Sequence, residues 1–268
     1  MFSWIYKSAL GIGLFVFVVS SLAILSAQAI GFRIDKNFSL VRTGIISVIN
    51  LDSEVKVFLD NRRTGTFSEA AGGSIVIKNV LPGTHSLLVS KEGYWPWIKE
   101  VKVQKKETST AYPFFILKNT NGIVILKEDE EYTSIKESIE SEVLPEKGNK
   151  LISASGTHVI WVEENTIMAE WLGEEDALPF YFCSYTECTR TVEVLASLTA
   201  IRNLTFYKER EDVLIFSSQN GLFAIEIDAQ GIQNFQHIYK GAASPDFSIY
   251  DDQTLSVYDA GSLFLLLL

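Results

Sequence analysis

The uncharged run of residues 8–32, SALGIGLFVFVVSSLAILSAQAIGF, constrains this chain more than any other stretch. It lies between Lys7 and Arg33. As a helix rising about 1.5 Å per residue it reaches about 37 Å, enough to cross a hydrocarbon layer of about 30 Å. A helix also satisfies its own backbone hydrogen bonds in lipid, which few other structures do. Trp4 and Tyr6 precede the run, where amphipathic rings suit the headgroup level. A cleaved signal peptide is the competing reading: Lys7 is a minimal charged start and Ala27-Gln28-Ala29 fits a small-residue cleavage site. The apolar run from Leu10 to Leu25 is slightly longer than a usual signal core, so an uncleaved anchor is adopted. Either reading exports the rest of the chain. Arg33, Lys36 and Arg42 beyond the span outnumber Lys7 before it, a bias against export. Long domains cross largely regardless of charge, so the downstream domains are expected outside the membrane.

With 33 acidic and 23 basic residues the chain carries a net charge of −10. Phosphate backbones demand clustered Lys and Arg, so nucleic acid is excluded as a partner. Arg62–Arg63 and Lys105–Lys106 are isolated pairs that read as solvated turns. Cys183 and Cys188 stand in FCSYTEC. In an exported chain they form a candidate disulfide if their Cβ atoms meet; free thiols rank second. A metal ranks last, because His85, His158 and His237 offer no ligand spacing.

Beyond the span the chain reads as mainly β. In EVKVFLD, residues 54–60, Val55, Val57 and Leu59 alternate with other residues, the period of a strand with one buried face. NRRTG, residues 61–65, supplies a turn, and Ala70-Ala71-Gly72-Gly73 a looser bend. Leu81-Pro82-Gly83 turns the chain into a strand in which Leu87 and Val89 alternate, and YWPWIKEVKV follows at residues 94–103. Short strands separated by turn signals predict a small antiparallel sandwich. VFLDNRRTG at 57–65 and LPGTHSLLVSKEGYWPW at 81–97 resemble the PEGA domain, a small β-sandwich of envelope proteins. The eponymous Pro-Glu-Gly-Ala stretch stands here as Pro82-Gly83-Thr84-His85. That resemblance implies a surface or envelope role and donates no catalytic residues.

Strands are expected at 111–118 and 122–127, then acids crowd residues 128–146. Tyr132, Ile135, Ile139 and Val143 fall at helical spacing, so this is read as a short amphipathic helix or solvated linker. From Leu151 strands return, with turns at Glu164-Asn165 and Asn220-Gly221. Their even spacing suits propeller blades. HVIWVEENTIMAEWL and FYKEREDVLIFSSQNGLFAIEID resemble the propeller-like region that follows a PEGA domain in bacterial membrane proteins. The stretch supplies two or three blades where a closed ring needs at least four. The apolar strand at 262–268 must therefore be buried or paired, and is expected to close against an earlier strand of the same half.

The organisation expected is a tail and transmembrane helix at 1–36, a PEGA-like β-sandwich at 37–127, an acidic helical linker at 128–150 and a partial β-propeller-like domain at 151–268. No nucleophile elbow, phosphate loop or metalloprotease signature occurs, so no catalytic residue, cofactor or metal is assigned. Glu174-Glu175-Asp176 and Asp251-Asp252 supply neighbouring carboxylates of the kind glycoside cleavage uses, though neighbouring loop acids are common. Trp95 and Trp97, two apart on a strand, project from one face. Exposed, they form a candidate binding face for sugar rings or a partner; buried, they are ordinary core. The function expected is a single-pass, membrane-anchored, non-enzymatic envelope scaffold or binding protein, with envelope polysaccharide or another envelope protein as partner. The alternative is a membrane-anchored carbohydrate-active enzyme with its site in the C-terminal half. A sensory ectodomain is a third reading, and would signal through a partner.

Overall fold

The computed structural model describes residues 2–49, 54–67, 73–183, 187–242 and 244–268. The bend at Ala70-Ala71-Gly72 lies outside them, as do the side chains of Trp4 and Tyr6. Two compact units emerge, one of Met1–Val89 with Glu100–Pro113 and the other of Ser90–Lys99 with Phe114–Leu268.

The first unit begins with helix α1, Phe2–Ala29. Within it Gly11–Ala29 is long and apolar enough to cross a membrane, and none of that window is buried in the protein. Ser21 and Ser26 donate their hydroxyls to the carbonyls of Phe17 and Leu22 at 2.8 Å, so these polar groups are satisfied inside the helix itself. Gly31 ends the helix in the left-handed region (φ 83°), where a side chain would be strained. Strands β1, Phe32–Ile34, and β2, Leu40–Arg42, then form a small hairpin whose turn is tied by the Asp35 carboxylate to the amides of Asn37 and Ser39.

Seven further strands follow: β3 Gly44–Val48, β4 Val55–Leu59, β5 Arg62–Phe67, β6 Ile75–Val80, β7 Gly83–Ser90, β8 Trp97–Val103 and β9 Thr108–Ala111. They build a three-stranded sheet β6-β3-β9 and a four-stranded sheet β5-β4-β7-β8. Period two holds: Val55, Val57, Leu87 and Val89 are fully buried, as are Ile46 and Val48 of β3. Two expectations change. The pair β3–β9 is parallel, from Ile45↔Thr108 to Val48↔Ala111, so the sandwich is not purely antiparallel. Parallel neighbours need a long connection, and the hairpins between β3 and β9 supply it. The turn after β4 is Asp60-Asn61, both at positive φ, while Arg62–Gly65 lies within β5. Two left-handed residues match the twist of a tight hairpin, which a longer NRRTG turn would not.

The second unit holds three four-stranded sheets. The first runs through β11 Leu151–Ile152, β12 His158–Glu163, β13 Thr166–Trp171 and β14 Thr191–Ala196 in that order, after β10 Gly122–Ile125 and helix α2 Tyr132–Ser141. The second runs through β15 Leu204–Tyr207, β16 Arg210–Ser218, β17 Gly221–Glu226 and β18 Phe235–Lys240. The third comprises β19 Asp246–Asp251, β20 Thr254–Asp259 and β21 Ser262–Leu267, with β10 beyond β21. Apolar side chains of the first two sheets share one core, including Ile160, Ile167, Trp171, Leu214, Phe216 and Ile225.

The apolar strand β21 is paired on both sides, by β20 and by β10, which fulfils the expectation that it closes against earlier strands. Its partner β10 comes from the stretch that the sequence grouped with the sandwich. Helix α2 buries Ile135 and Ile139 against Leu263 of β21, so its apolar stripe is packed rather than solvated. The sheets are open, and no closed propeller is formed by the described residues. Residues 112–118 are not a strand, and Phe180–Phe182, before Cys183, form a short 3-10 turn. The turn at Glu164-Asn165 is present, with Glu163 opposite Thr166. The later turn sits one residue earlier than expected, at Gln219-Asn220, with Ser218 opposite Gly221. Gly221 instead opens β17, where a Cβ would lie 2.1 Å from the Tyr239 carbonyl oxygen.

Candidate functional site

Trp95 and Trp97 do not form the shared aromatic face that alternation predicts. Trp97 opens β8 and is 4% exposed, whereas Trp95 lies before the strand and is 38% exposed. Trp97, Lys99, Val101 and Val103 are the buried positions of β8, so alternation holds from Trp97 onward and fails before it. The Trp97 indole N–H donates to Glu226 Oε2 at 3.3 Å. Trp95 is held differently: its backbone amide donates to the Ile116 carbonyl at 2.9 Å, and its side chain is partly exposed.

A buried ionic cluster anchors this segment. Lys99 Nζ lies 2.8 Å from Glu226 Oε1 and 3.1 Å from Asp228 Oδ2, and donates to the Asp228 carbonyl at 2.7 Å. Glu226 Oε1 also accepts from the Asn234 amide and from Asn234 Nδ2. The Asn234 side chain reaches Ile98 on both backbone groups, accepting from its N–H and donating to its carbonyl at 2.9 Å each. Burial pushes the Glu226 carboxyl up from its ordinary range, and the Lys99 ammonium opposes that shift. Every polar group in the cluster has a partner, as low-dielectric burial requires. These residues are far apart in sequence, and no local motif announces them.

Beside Trp95 opens a cleft of about 340 Å³ lined by Lys118, Thr120, His237, Tyr239 and Lys240. Lys118 Nζ stands 5.9 Å from the centre of the Trp95 ring. Its backbone amide donates to the Gly93 carbonyl at 3.0 Å, fixing the two segments side by side. The Thr120 hydroxyl donates to the Ile238 carbonyl, and His237 packs on Phe223 with ring centres 4.2 Å apart. The Tyr239 hydroxyl donates to Asp259 Oδ2 at 3.0 Å; burial and that carboxylate push its pKa up to about 12. Among the described residues no carboxylate lines this cleft. It can therefore offer an aromatic ring, two ammonium groups and hydroxyl oxygens to a ligand.

Cys183 and Cys188 are joined in a disulfide, with Cα atoms 3.8 Å apart. Ser184–Thr186 between them lies outside the described residues. A second cleft, of about 400 Å³, opens beside the bond and carries Glu187, Glu193 and Gln230. The Gln230 side chain donates to the carbonyls of Phe180 and Cys183, tying the loop to the turn after β17.

A third cleft, of about 440 Å³, lies against α2. It gathers Glu140, Glu142 and Asp246, but Glu140 pairs with Lys136 and Asp246 with Arg202, each at 2.9 Å. Glu142 is exposed to solvent, and partial desolvation against the cleft raises its carboxyl above its ordinary range. Glu174-Glu175-Asp176 and Asp251-Asp252 line none of these three clefts.

The three histidines are dispersed. His85 bridges the Asp60 carboxylate and the Leu81 carbonyl at 2.7 Å each. His158 is buried, with Nδ1 2.9 Å from Glu211 Oε2 and Nε2 2.7 Å from the Tyr181 hydroxyl. Among the described residues no group of His, Cys, Asp and Glu could hold a metal ion.

Comparison with curated proteins gives no match. Residues 49–114 do match the PEGA domain family, and within that stretch Ser90–Lys99 and Phe114 belong to the second unit.

Proposed function

We propose that this chain is a membrane-anchored, non-enzymatic envelope protein that presents two β-built units outside the membrane and works by contact. The observation that carries the reading is the apolar helix Gly11–Ala29, unburied throughout, ahead of a PEGA-matching stretch. The serine hydroxyls bonded back into the helix fit a lipid setting, where an unsatisfied donor is costly. The second unit fits a propeller-like arrangement: three four-stranded meanders follow one another, and the last takes its outermost strand from β10. Partners consistent with this reading are envelope polysaccharide or another envelope protein.

The test is fractionation of cells expressing the full chain, followed by protease treatment of intact and lysed cells. The reading expects the protein in the membrane fraction after carbonate washing, with the C-terminal half cut in intact cells whose surface is accessible. A soluble, protected protein sinks it.

A carbohydrate-active enzyme is the second reading. Glu142 and Asp246 line one cleft, and a pair of carboxylates is what glycoside cleavage employs. Glu142→Gln would abolish sugar-releasing activity under that reading and leave membrane attachment unchanged.

A further inference from the structure

We propose that the cleft beside Trp95 is a binding subsite for an anionic saccharide, the sugar ring lying on the indole and the acid group held by Lys118 and Lys240. This deepens the contact reading above and rests on it.

The first argument is the fate of the two tryptophans. Trp97 spends its ring on the core and its N–H on Glu226, while Trp95 is 38% exposed at a fixed backbone position, with the Lys118 ammonium 5.9 Å from its ring centre. The cluster of Lys99, Glu226 and Asn234 clamps the backbone three residues on, so the indole is presented without further ordering of the chain. A preorganised aromatic face loses little freedom on binding. The C–H face of a pyranose matches such a ring, whereas an acidic peptide side chain brings nothing to lie on it.

The second argument is charge. The whole chain carries −10, yet the cleft's lining includes Lys118, Lys240 and His237 and, among the described residues, no carboxylate. The nearest acid to Tyr239, Asp259, is engaged by the Tyr239 hydroxyl and the Ala242 amide. A cationic hollow on an acidic body attracts anions locally while the rest of the surface repels them, which disfavours a long unselective polyanion such as nucleic acid.

The third is hydrogen-bonding capacity and size. The hydroxyls of Thr120 and Tyr239 already donate within the protein, so toward a sugar hydroxyl either oxygen would act as an acceptor. At about 340 Å³ the cleft is at the small end for ligand sites, suited to a single sugar unit of a longer polymer.

The experiment is calorimetric titration of the full chain in detergent micelles with three tetrasaccharides: tetragalacturonate, a phosphorylated mannotetraose and neutral galactotetraose. One or both acidic sugars should bind at least about tenfold more tightly than the neutral one, and which of them does identifies a carboxylate or a phosphate as the recognised group. Trp95→Ala should weaken every sugar that binds about tenfold or more, and Trp95→Phe should restore part of the loss. Lys118→Gln with Lys240→Gln should erase the acidic preference. Equal affinity for neutral and acidic sugars overturns the anionic assignment while the contact reading stands. Binding of none, or binding indifferent to Trp95→Ala, overturns both for this cleft.

Discussion

Lys99 and Glu226 meet at 2.8 Å in a part of the second unit where each is about 5% exposed. Two charges removed from water to that degree are tolerated only as a pair. Lys99→Met strands Glu226 and Asp228 and is expected to destabilise the protein by about 3–5 kcal/mol. Lys99→Met with Glu226→Leu should recover part of that loss, since one of the two uncompensated carboxylates is gone. Urea denaturation of the three proteins measures it; a double variant no more stable than the single one contradicts the pairing.

Gly221 stands at φ 152°, with a would-be Cβ 2.1 Å from the Tyr239 carbonyl oxygen. The obstruction is backbone, so it cannot swing aside. Gly221→Ala is expected to cost about 2 kcal/mol or more and to displace β18, loosening the cleft that Tyr239 and Lys240 line. Thermal denaturation compared with Gly93→Ala provides the contrast, because Gly93 has positive φ but open space around it.

His158 supplies a pH dependence. Burial holds its imidazole below the ordinary range, against the opposing pull of Glu211. The unfolded chain then takes up the proton more readily than the folded one. Stability should therefore fall as pH drops below about 6.5 and stop falling, for this group, once the pH passes the lowered folded value. The Glu211 carboxyl, itself held low in the folded state, adds its own loss only in the more acidic carboxylate range. His158→Gln should flatten the profile between pH 7.5 and the carboxylate range. Urea midpoints that change with pH identically in both proteins rule this out.

The Cys183–Cys188 bond closes a short loop, and restricting so short a loop in the unfolded chain contributes about 2 kcal/mol. Reduction, or replacement of both cysteines by serine, should lower the melting temperature by a few degrees and leave the fold intact. Differential scanning calorimetry with and without reductant reads the shift directly. No shift at all is incompatible with a stabilising bond at this place.

Local chemistry carried much of the fold into the sequence. The alternation of Val55 with Val57 and of Leu87 with Val89 marked buried faces, and Glu164-Asn165 marked its turn. What failed to show depends on partners distant in the chain. Alternation says which face of β8 is shared but not where the strand starts, and that start separates Trp95 from Trp97. An acidic helix reads as solvated until the Leu263 side chain that covers Ile135 and Ile139 is known. Lys99 falls at an inward position between Trp97 and Val101, but nothing local names its partners, because Glu226 and Asp228 arrive from far along the sequence. The Trp95 cleft draws on three separate stretches, and only the tryptophan itself was conspicuous.

The pairing of β10 with β21 also bears on biogenesis. A ribosome delivers Gly122–Ile125 long before Ser262–Leu267, so the earlier strand emerges with Ile123 and Val124 and no mate for its ladder. Until the later strand arrives, that stretch is a naked template for pairing with other nascent chains. Tethering at a membrane, which spaces newly made copies apart, or a holding chaperone would shield it over that interval.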